Sequence, residues 1–317
     1  MRVAFGFAVL AGAAIALSLP PFGWWPLGVG GLAVFAALLM GPAGSSPTPT
    51  RARAVVGMGV GLGQYAIGLW WVTEFNAAGF VALVIHGAAC TALAGALVPA
   101  RRRFGVVLGL PAALVVADWI RDNVPFGGLP IGGTALGQAS GPLAVSVRLG
   151  GSLLLTGVAA ASGAGLAALA AAARYRRHPR DGDRDRDGDR DRDRLLGGLV
   201  ALALVAVVLV GARLSPDGSG PGPHTPLRVA VVQGGGPRGL RATSSDPAAV
   251  LQRQFDASTS LAPPLSPPLD LVLWPEDVVH VDGPVDQTPE ADAVGALATR
   301  LRIAARAGGS RLRPSLG

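Results

Sequence analysis

The 317-residue sequence contains no lysine, one cysteine and few charged residues of any kind, and each shortage removes a class of protein. With Cys90 alone, neither an intrachain disulfide nor a cysteine-based zinc cluster is available. Only 15% of residues are charged while 50% are hydrophobic, and the mean hydropathy is +0.46, too apolar for an ordinary soluble domain. The net charge of +7 rests on arginine, much of it gathered in short segments between apolar runs. That distribution belongs to orientation in a bilayer and not to nucleic-acid binding. An integral membrane protein with no nucleic-acid partner is expected.

What is present is a series of apolar runs, at 1–19, 25–40, 54–71, 77–98, 104–119, 143–173 and 195–210, each near the ~20 residues that cross hydrocarbon. Seven spans are predicted. The first run also fits a signal peptide with a small-residue exit near Ala16 and Ser18. A retained span is favoured by Pro20-Pro21-Phe22-Gly23-Trp24-Trp25-Pro26, a tight aromatic turn into the second run whose paired tryptophans suit the headgroup level. Arg2, Arg51 with Arg53, Arg101 to Arg103, and the nine arginines from Arg174 to Arg194 all fall on one side of this arrangement. The alternate connections hold Glu74, Arg121, Asp122 and little else. By the positive-inside rule the N-terminus is cytoplasmic, and an odd number of spans places the rest of the chain outside.

Several motifs carry less than they first promise. Gly57, Gly59, Gly61 and Gly63 lack the preceding strand of a dinucleotide loop, whereas glycines four apart are what close helix packing in lipid uses. The segment Asp183-x-Asp185-x-Asp187-Gly188 mimics the start of a calcium loop, but Arg194 stands at the twelfth position where a bidentate glutamate is needed. A solvated low-complexity linker is expected there, and no metal site. His86 and Asp118 are ionisable groups within or at the edge of spans, which face protein or water and are sometimes functional. For His86, a histidine hydrogen-bonded inside the bundle explains the sequence equally well.

Residues 214–226, rich in Pro, Gly and Ser, read as a linker, and Leu227 to Gln233 as a buried strand closed by Gly234 to Gly236. No Gly-Lys-Ser/Thr follows those glycines, so they form a turn and not a P-loop. Asp246-Pro247 opens a helix to about Ser260, with Val250, Leu251 and Phe255 on its apolar face. A second strand, Leu269 to Trp274, is stopped by Pro275, which sets Glu276 just past its carboxyl end, where α/β proteins build sites. Thr288-Pro289-Glu290 starts another helix, with Val294, Leu297, Leu301 and Ala304 on one face and an end at Gly308-Gly309. Strand, helix, strand in that order is the start of an α/β domain with parallel neighbours.

Together these residues resemble a family. A multi-span first half, then Val-x-Val-Val-Gln-Gly (Val229 to Gly234) and Asp-Leu-Val-x-Trp-Pro-Glu (Asp270 to Glu276), is similar to the bacterial apolipoprotein N-acyltransferases. The membrane half adds Pro21-Phe22-Gly23 with Trp25-Pro26, Asp118-Trp119-Ile120-Arg121, Gly128-Leu129-Pro130, Gly137-Gln138 and Pro142-Leu143. The resemblance implies a multi-span α-helical membrane domain (1–213), the linker 214–226, and in 227–317 the first part of an extracytoplasmic nitrilase-like αββα domain. It implies a plasma-membrane enzyme without cofactor that takes an acyl chain from a phospholipid. The acceptor is the N-terminal diacylglyceryl-cysteine of a lipoprotein. In that family a cysteine nucleophile is activated by a glutamate general base and a lysine stabilises the oxyanion, roles with a plain chemical logic.

Glu276 matches the general base. The other two partners have no match: there is no lysine, and Cys90 is predicted within the bilayer, so no nucleophile is assigned. Asp277 also stands where the family often has a small hydroxyl residue. The pattern fails after Gly309, so a truncated, catalytically inactive chain is expected. The alternative is a non-catalytic membrane protein whose outer module binds lipid or a lipoprotein. A transporter has less support, for the runs show no obvious internal repeat and no paired charges at mid-depth.

Overall fold

A computed structural model describes residues 2–41, 48–99, 104–125, 127–128, 130–177, 184–216, 227–235, 246–261, 269–275, 278–279, 283–284 and 287–301, with backbone alone for 175–177 and 184–191. The chain divides into two units, Met1–Gly220 and Pro221–Gly317.

In the first unit each apolar run is a helix: α1 (Arg2–Ala16), α2 (Trp25–Met40), α3 (Thr50–Gly68), α4 (Ala77–Leu97), α5 (Gly105–Asn123), α6 (Val147–Arg177) and α7 (Arg184–Leu214). Local chemistry sets several of the ends. Pro26 sits in the first turn of α2, which stops at Gly41 with a positive φ of 67°. The Asn76 side chain caps α4 by accepting from the amides of Ala78 and Gly79, at 2.9 and 3.2 Å. Gly150 and Gly151 bend α6 near its start, Gly151 with φ 65°. Three stretches, Ala77–Leu97, Pro142–Arg174 and Arg192–Leu214, are long and apolar enough to cross a membrane. Helices α1 and α2 are apolar but shorter, at 15 and 16 residues. In α3, Arg51, Arg53 and Gln64 lower the hydropathy, as Asp118, Arg121 and Asp122 do in α5.

The four glycines of α3 serve two neighbours. Gly57 and Gly61 lie against α4, where a methyl group on Gly61 would stand 2.5 Å from Cα of Ala88. Gly59 and Gly63 lie against α1, where a methyl group on Gly63 would run into the Val9 carbonyl oxygen. Positions four apart share a helix face and positions two apart do not, so the alternation yields two small-residue seams at once. Ala8, Ala11 and Ile15 of α1, Leu32, Phe35 and Leu39 of α2, and Leu110 of α5 fill the core between them.

Arg121 and Asp122, expected in a connection, lie in the last turn of α5. A second expectation is overturned as well. The Asp/Arg repeat, read as a linker, is helical from Arg184 and continuous with the apolar part of α7. Strict alternation places opposite charges three residues apart, which favours a helix, against like charges four apart, which does not. Attachment to a preformed apolar helix removes the cost of nucleation and decides the outcome.

The second unit contains β1 (Val229–Val231), α8 (Pro247–Thr259), β2 (Leu271–Leu273) and α9 (Pro289–Arg300). β1 and β2 pair in parallel with Val229 opposite Leu271 and Val231 opposite Leu273. Both helices start as their sequences predict. Asp246 accepts from the Ala248 amide at 3.0 Å and Thr288 from the Ala291 amide at 3.3 Å, each with a proline in the first turn. The predicted end of α9 at Gly308-Gly309 lies outside the described residues. So do most of the linker, the proline-rich segment 262–268, and the tail.

Candidate functional site

The strand end that aims toward Glu276 is built from α8. Gln254 is buried and grips the end of β1 twice: its Nε2 donates to the Val232 carbonyl at 2.7 Å and its Oε1 accepts from the Gly234 amide at 2.7 Å. One turn on, Ser258 Oγ donates to the Gln254 carbonyl at 2.8 Å and accepts from Trp274 Nε1 at 2.9 Å. Phe255 meets the Trp274 ring edge to face, at 5.4 Å between centroids. At the opposite end of the strands, the Asp270 carboxylate accepts from the Arg228 amide at 2.7 Å. The chain is thus fixed as far as Trp274 and Pro275. Glu276 and Asp277 lie outside the described residues.

Gln254 and Ser258 were not foreseen, because an apolar-face search passes over polar residues. The available signal was their spacing: two hydrogen-bonding side chains four apart, beside Phe255, on a helix between two strands. Gln254→Leu is expected to leave the Val232 carbonyl and the Gly234 amide without partners, at about 1–3 kcal/mol. Hydrogen exchange checks it: the Gly234 amide should exchange at least tenfold faster in the variant.

The first unit carries a buried ionic cluster. Arg121 Nη1 donates to Tyr65 Oη at 2.6 Å and to Asp118 Oδ1 at 2.9 Å, while Nη2 reaches Asp122 Oδ1 at 2.7 Å. Thr156 of α6 donates to the other Asp118 oxygen at 2.8 Å. The Arg121 and Asp118 residues are 5% and 7% exposed, so the pair is screened from solvent. Three helices, α3, α5 and α6, meet there. Asp118 and Arg121 share one helix face, and Trp119 between them is exposed on another. With all three guanidinium nitrogens bonded to Tyr65, Asp118 or Asp122, Arg121 is suited to holding helices together.

The connection from α5 to α6 is tied down over this cluster. Gln64 Nε2 donates to the Gly132 carbonyl at 2.9 Å, Gln138 Nε2 to the Trp25 carbonyl at 3.1 Å, and Ser140 Oγ to the Gly23 carbonyl at 3.2 Å. A side chain on Gly133 would meet the Arg121 guanidinium at 2.5 Å. His86 and Cys90 lie one turn apart on α4 with 3.9 Å between Nε2 and Sγ. Cys90 is buried in the first unit, whereas Glu276 belongs to the second. Among the described residues, no group of His, Cys, Asp and Glu could hold a metal ion.

The class defined by these features is a helical membrane domain, packed through glycine seams and locked by a buried ion pair. Residues 11–165 match the family model described as the apolipoprotein N-acyltransferase N-terminal domain. Over that stretch the helical half of this chain is similar to the apolipoprotein N-acyltransferases. The matched stretch runs from α1 into α6 and includes Tyr65, Cys90, Asp118, Arg121 and Thr156.

Proposed function

We propose that this chain descends from enzymes that transfer an acyl group from a phospholipid to the N-terminal diacylglyceryl-cysteine of an apolipoprotein, and that residues 1–317 alone do not catalyse it. The observation that carries the lineage is the match over residues 11–165. In this assignment 1–213 is a seven-span domain of the cell membrane with a cytoplasmic N-terminus, 214–226 a linker, and 227–317 part of an extracytoplasmic nitrilase-like domain. The parallel β1–α8–β2 unit and the Trp-Pro step before Glu276 support the last of these. Glu276 is the general base, the phospholipid the acyl donor, and the diacylated lipoprotein the acceptor. Inactivity follows from chemistry: an acyl-enzyme needs a thiolate within reach of its base, and its tetrahedral intermediate needs a fixed donor or cation. The sequence has no lysine, and its one thiol is buried on α4.

The test is an acyl-transfer assay on the chain in phospholipid vesicles with a diacylated lipopeptide. Neither a hydroxylamine-labile acyl-thioester nor an N-acylated product is expected, and either one would refute inactivity. A photoreactive diacylated lipopeptide should still label the chain, and no labelling would remove the acceptor assignment. Burial of the only cysteine favours a second possibility, a lipid- or lipoprotein-binding protein without catalysis. That protein would bind lipopeptide and stay inactive even when a nucleophile and a cation were supplied by a complementing nitrilase-like domain. The acyltransferase lineage predicts recovery of transfer.

A further inference from the structure

We propose that α7 is a docking surface for the α7 of a second copy of this chain, the two helices lying parallel about a two-fold axis along the membrane normal. This helix is the least enclosed of the three candidate spans: 28% of its most apolar stretch is buried, against 39% for Ala77–Leu97 and 61% for Pro142–Arg174. Its buried residues mark one side. Ala201, Val205 and Ala212 are enclosed, Ala201 against Val107 of α5 and Ala168 of α6. At roughly 100° per residue, Leu196, Leu199, Ala203, Val207 and Val210 fall on the opposite side, and all five are exposed. Neighbours in that set are three or four apart, and Leu196, Ala203 and Val210 repeat at seven, the period of paired helices. Acyl chains can cover an apolar stripe, so the stripe alone does not name its partner. The charged start of the same helix does.

Arg184 to Arg194 lengthen α7 by about 16 Å at ~1.5 Å per residue, with no break before Leu195. On that backbone Arg184 and Arg192 lie in one row with Gly188 between them, and Asp185 and Asp189 lie in the next row. The boundary between the two rows continues the line of Leu196, Ala203 and Val210. Copies with one membrane orientation run parallel, and a two-fold axis along that line sets the arginine row of each opposite the aspartate row of the other. Within one helix the aspartates four apart disfavour the helical state, and the second copy supplies the opposite sign. An anionic lipid surface matches the arginine row but not the aspartate row beside it. The apolar stripe thus supplies contact while the charged rows fix orientation and register, the division of labour of paired helices. Confinement of both copies to one membrane raises their effective concentration, so surface ion pairs of modest strength suffice. The proposal rests on placement of α7 in a membrane and not on acyl transfer, so an inactive protein would still show it.

Oxidative cross-linking of the full chain in phospholipid vesicles tests this, in a Cys90→Ser background with Leu196→Cys as the reporter next to the charged rows. Val3→Cys, at an exposed position of α1, is the reference for chance collision. Disulfide-linked dimer is expected from Leu196→Cys at about ten times the rate seen with Val3→Cys. In the reporter chain, Arg184→Asp/Arg192→Asp makes both rows acidic and Asp185→Arg/Asp189→Arg makes both basic, and each change alone should slow cross-linking about tenfold. Mixed one to one in the same vesicles, the two variants should recover most of the original rate, because the acidic face of one meets the basic face of the other. Salt at ~1 M, where the screening length is about 3 Å, should slow the reporter with its native charges several-fold. Equal rates from Leu196→Cys and Val3→Cys would mean that lipid alone covers the stripe, and would overturn the proposal. So would unchanged rates in both charge variants, or no recovery on mixing variants that are each monodisperse in detergent. If a charge variant does not stay monodisperse, the salt series on the native charges decides, and a rate unaffected by salt overturns the proposal.

Discussion

Arg121→Leu is expected to destabilise the helical unit by about 3–5 kcal/mol, the cost of leaving a buried charge without its partner. Arg121 contacts Tyr65, Asp118 and Asp122 together, and its removal leaves Asp118 with Thr156 as its one remaining side-chain donor among the described residues. The expected result is a large drop in the thermal midpoint in detergent, with loss of the monodisperse form at moderate temperature. The comparison that makes this diagnostic is Asp118→Asn/Arg121→Gln. That variant has the same chain fold to form but no buried charge at either position, and should lose less than Arg121→Leu alone. If the double variant is the less stable of the two, the cluster acts through shape and packing instead of charge. A third comparison, Asp122→Asn, touches a more exposed carboxylate and should cost under about 1 kcal/mol.

The cluster also shows where sequence is informative and where it stops. Asp118 was legible as an ionisable residue at a span edge and Arg121 as part of the Asp-Trp-x-Arg motif, but Arg121 was placed in the connection after the run, so their pairing on one face of α5 was not read. Tyr65 and Thr156 were not visible. They come from helices 56 and 38 residues away in sequence from the groups they bind, and nothing local marks a tyrosine or threonine for that contact. The seven apolar runs were readable because hydrophobicity sustained over a span-length window is a strong signal. The caps of α4, α8 and α9 use ordinary Asn, Asp and Thr chemistry, and those of α8 and α9 were read from their Asp-Pro and Thr-Pro steps. The Asp/Arg repeat misled because composition argues for a linker while continuity with an apolar helix argues the opposite, and continuity won. The elbow at Gly150-Gly151 was hidden inside an unbroken apolar run. At the strand end, the positions of β1, α8 and β2 were readable, but Gln254 and Ser258 were not, since polar side chains satisfying backbone groups leave no periodicity.

Gly63→Leu should be at least as damaging, through geometry instead of charge. Gly63 and Gly12 face each other across the α1–α3 seam: a side chain on Gly63 would enter the space of the Val9 carbonyl oxygen and the Ala13 amide, and one on Gly12 that of the Val60 carbonyl oxygen. The obstacles are backbone atoms, which cannot swing aside as a side-chain tip can, so the helices must separate or slide. In a membrane bundle the close approach is itself the source of stability, because van der Waals contact replaces the hydrophobic drive between helices. A loss of about 3 kcal/mol or more is expected, with α1 released from the bundle and its N-terminal segment open to protease. Gly30→Leu is the control, since nothing lies within 4 Å of where its side chain would begin, and it should be nearly neutral. Gly61→Leu, on the other seam, should instead free α4 from α3, because the obstacle there is the backbone of Ala88. If Gly61→Leu and Gly63→Leu released the same helix, the assignment of the two seams to two different neighbours would fail. Distinct proteolytic patterns from substitutions two residues apart would establish that one run of alternating glycines docks α3 to two helices.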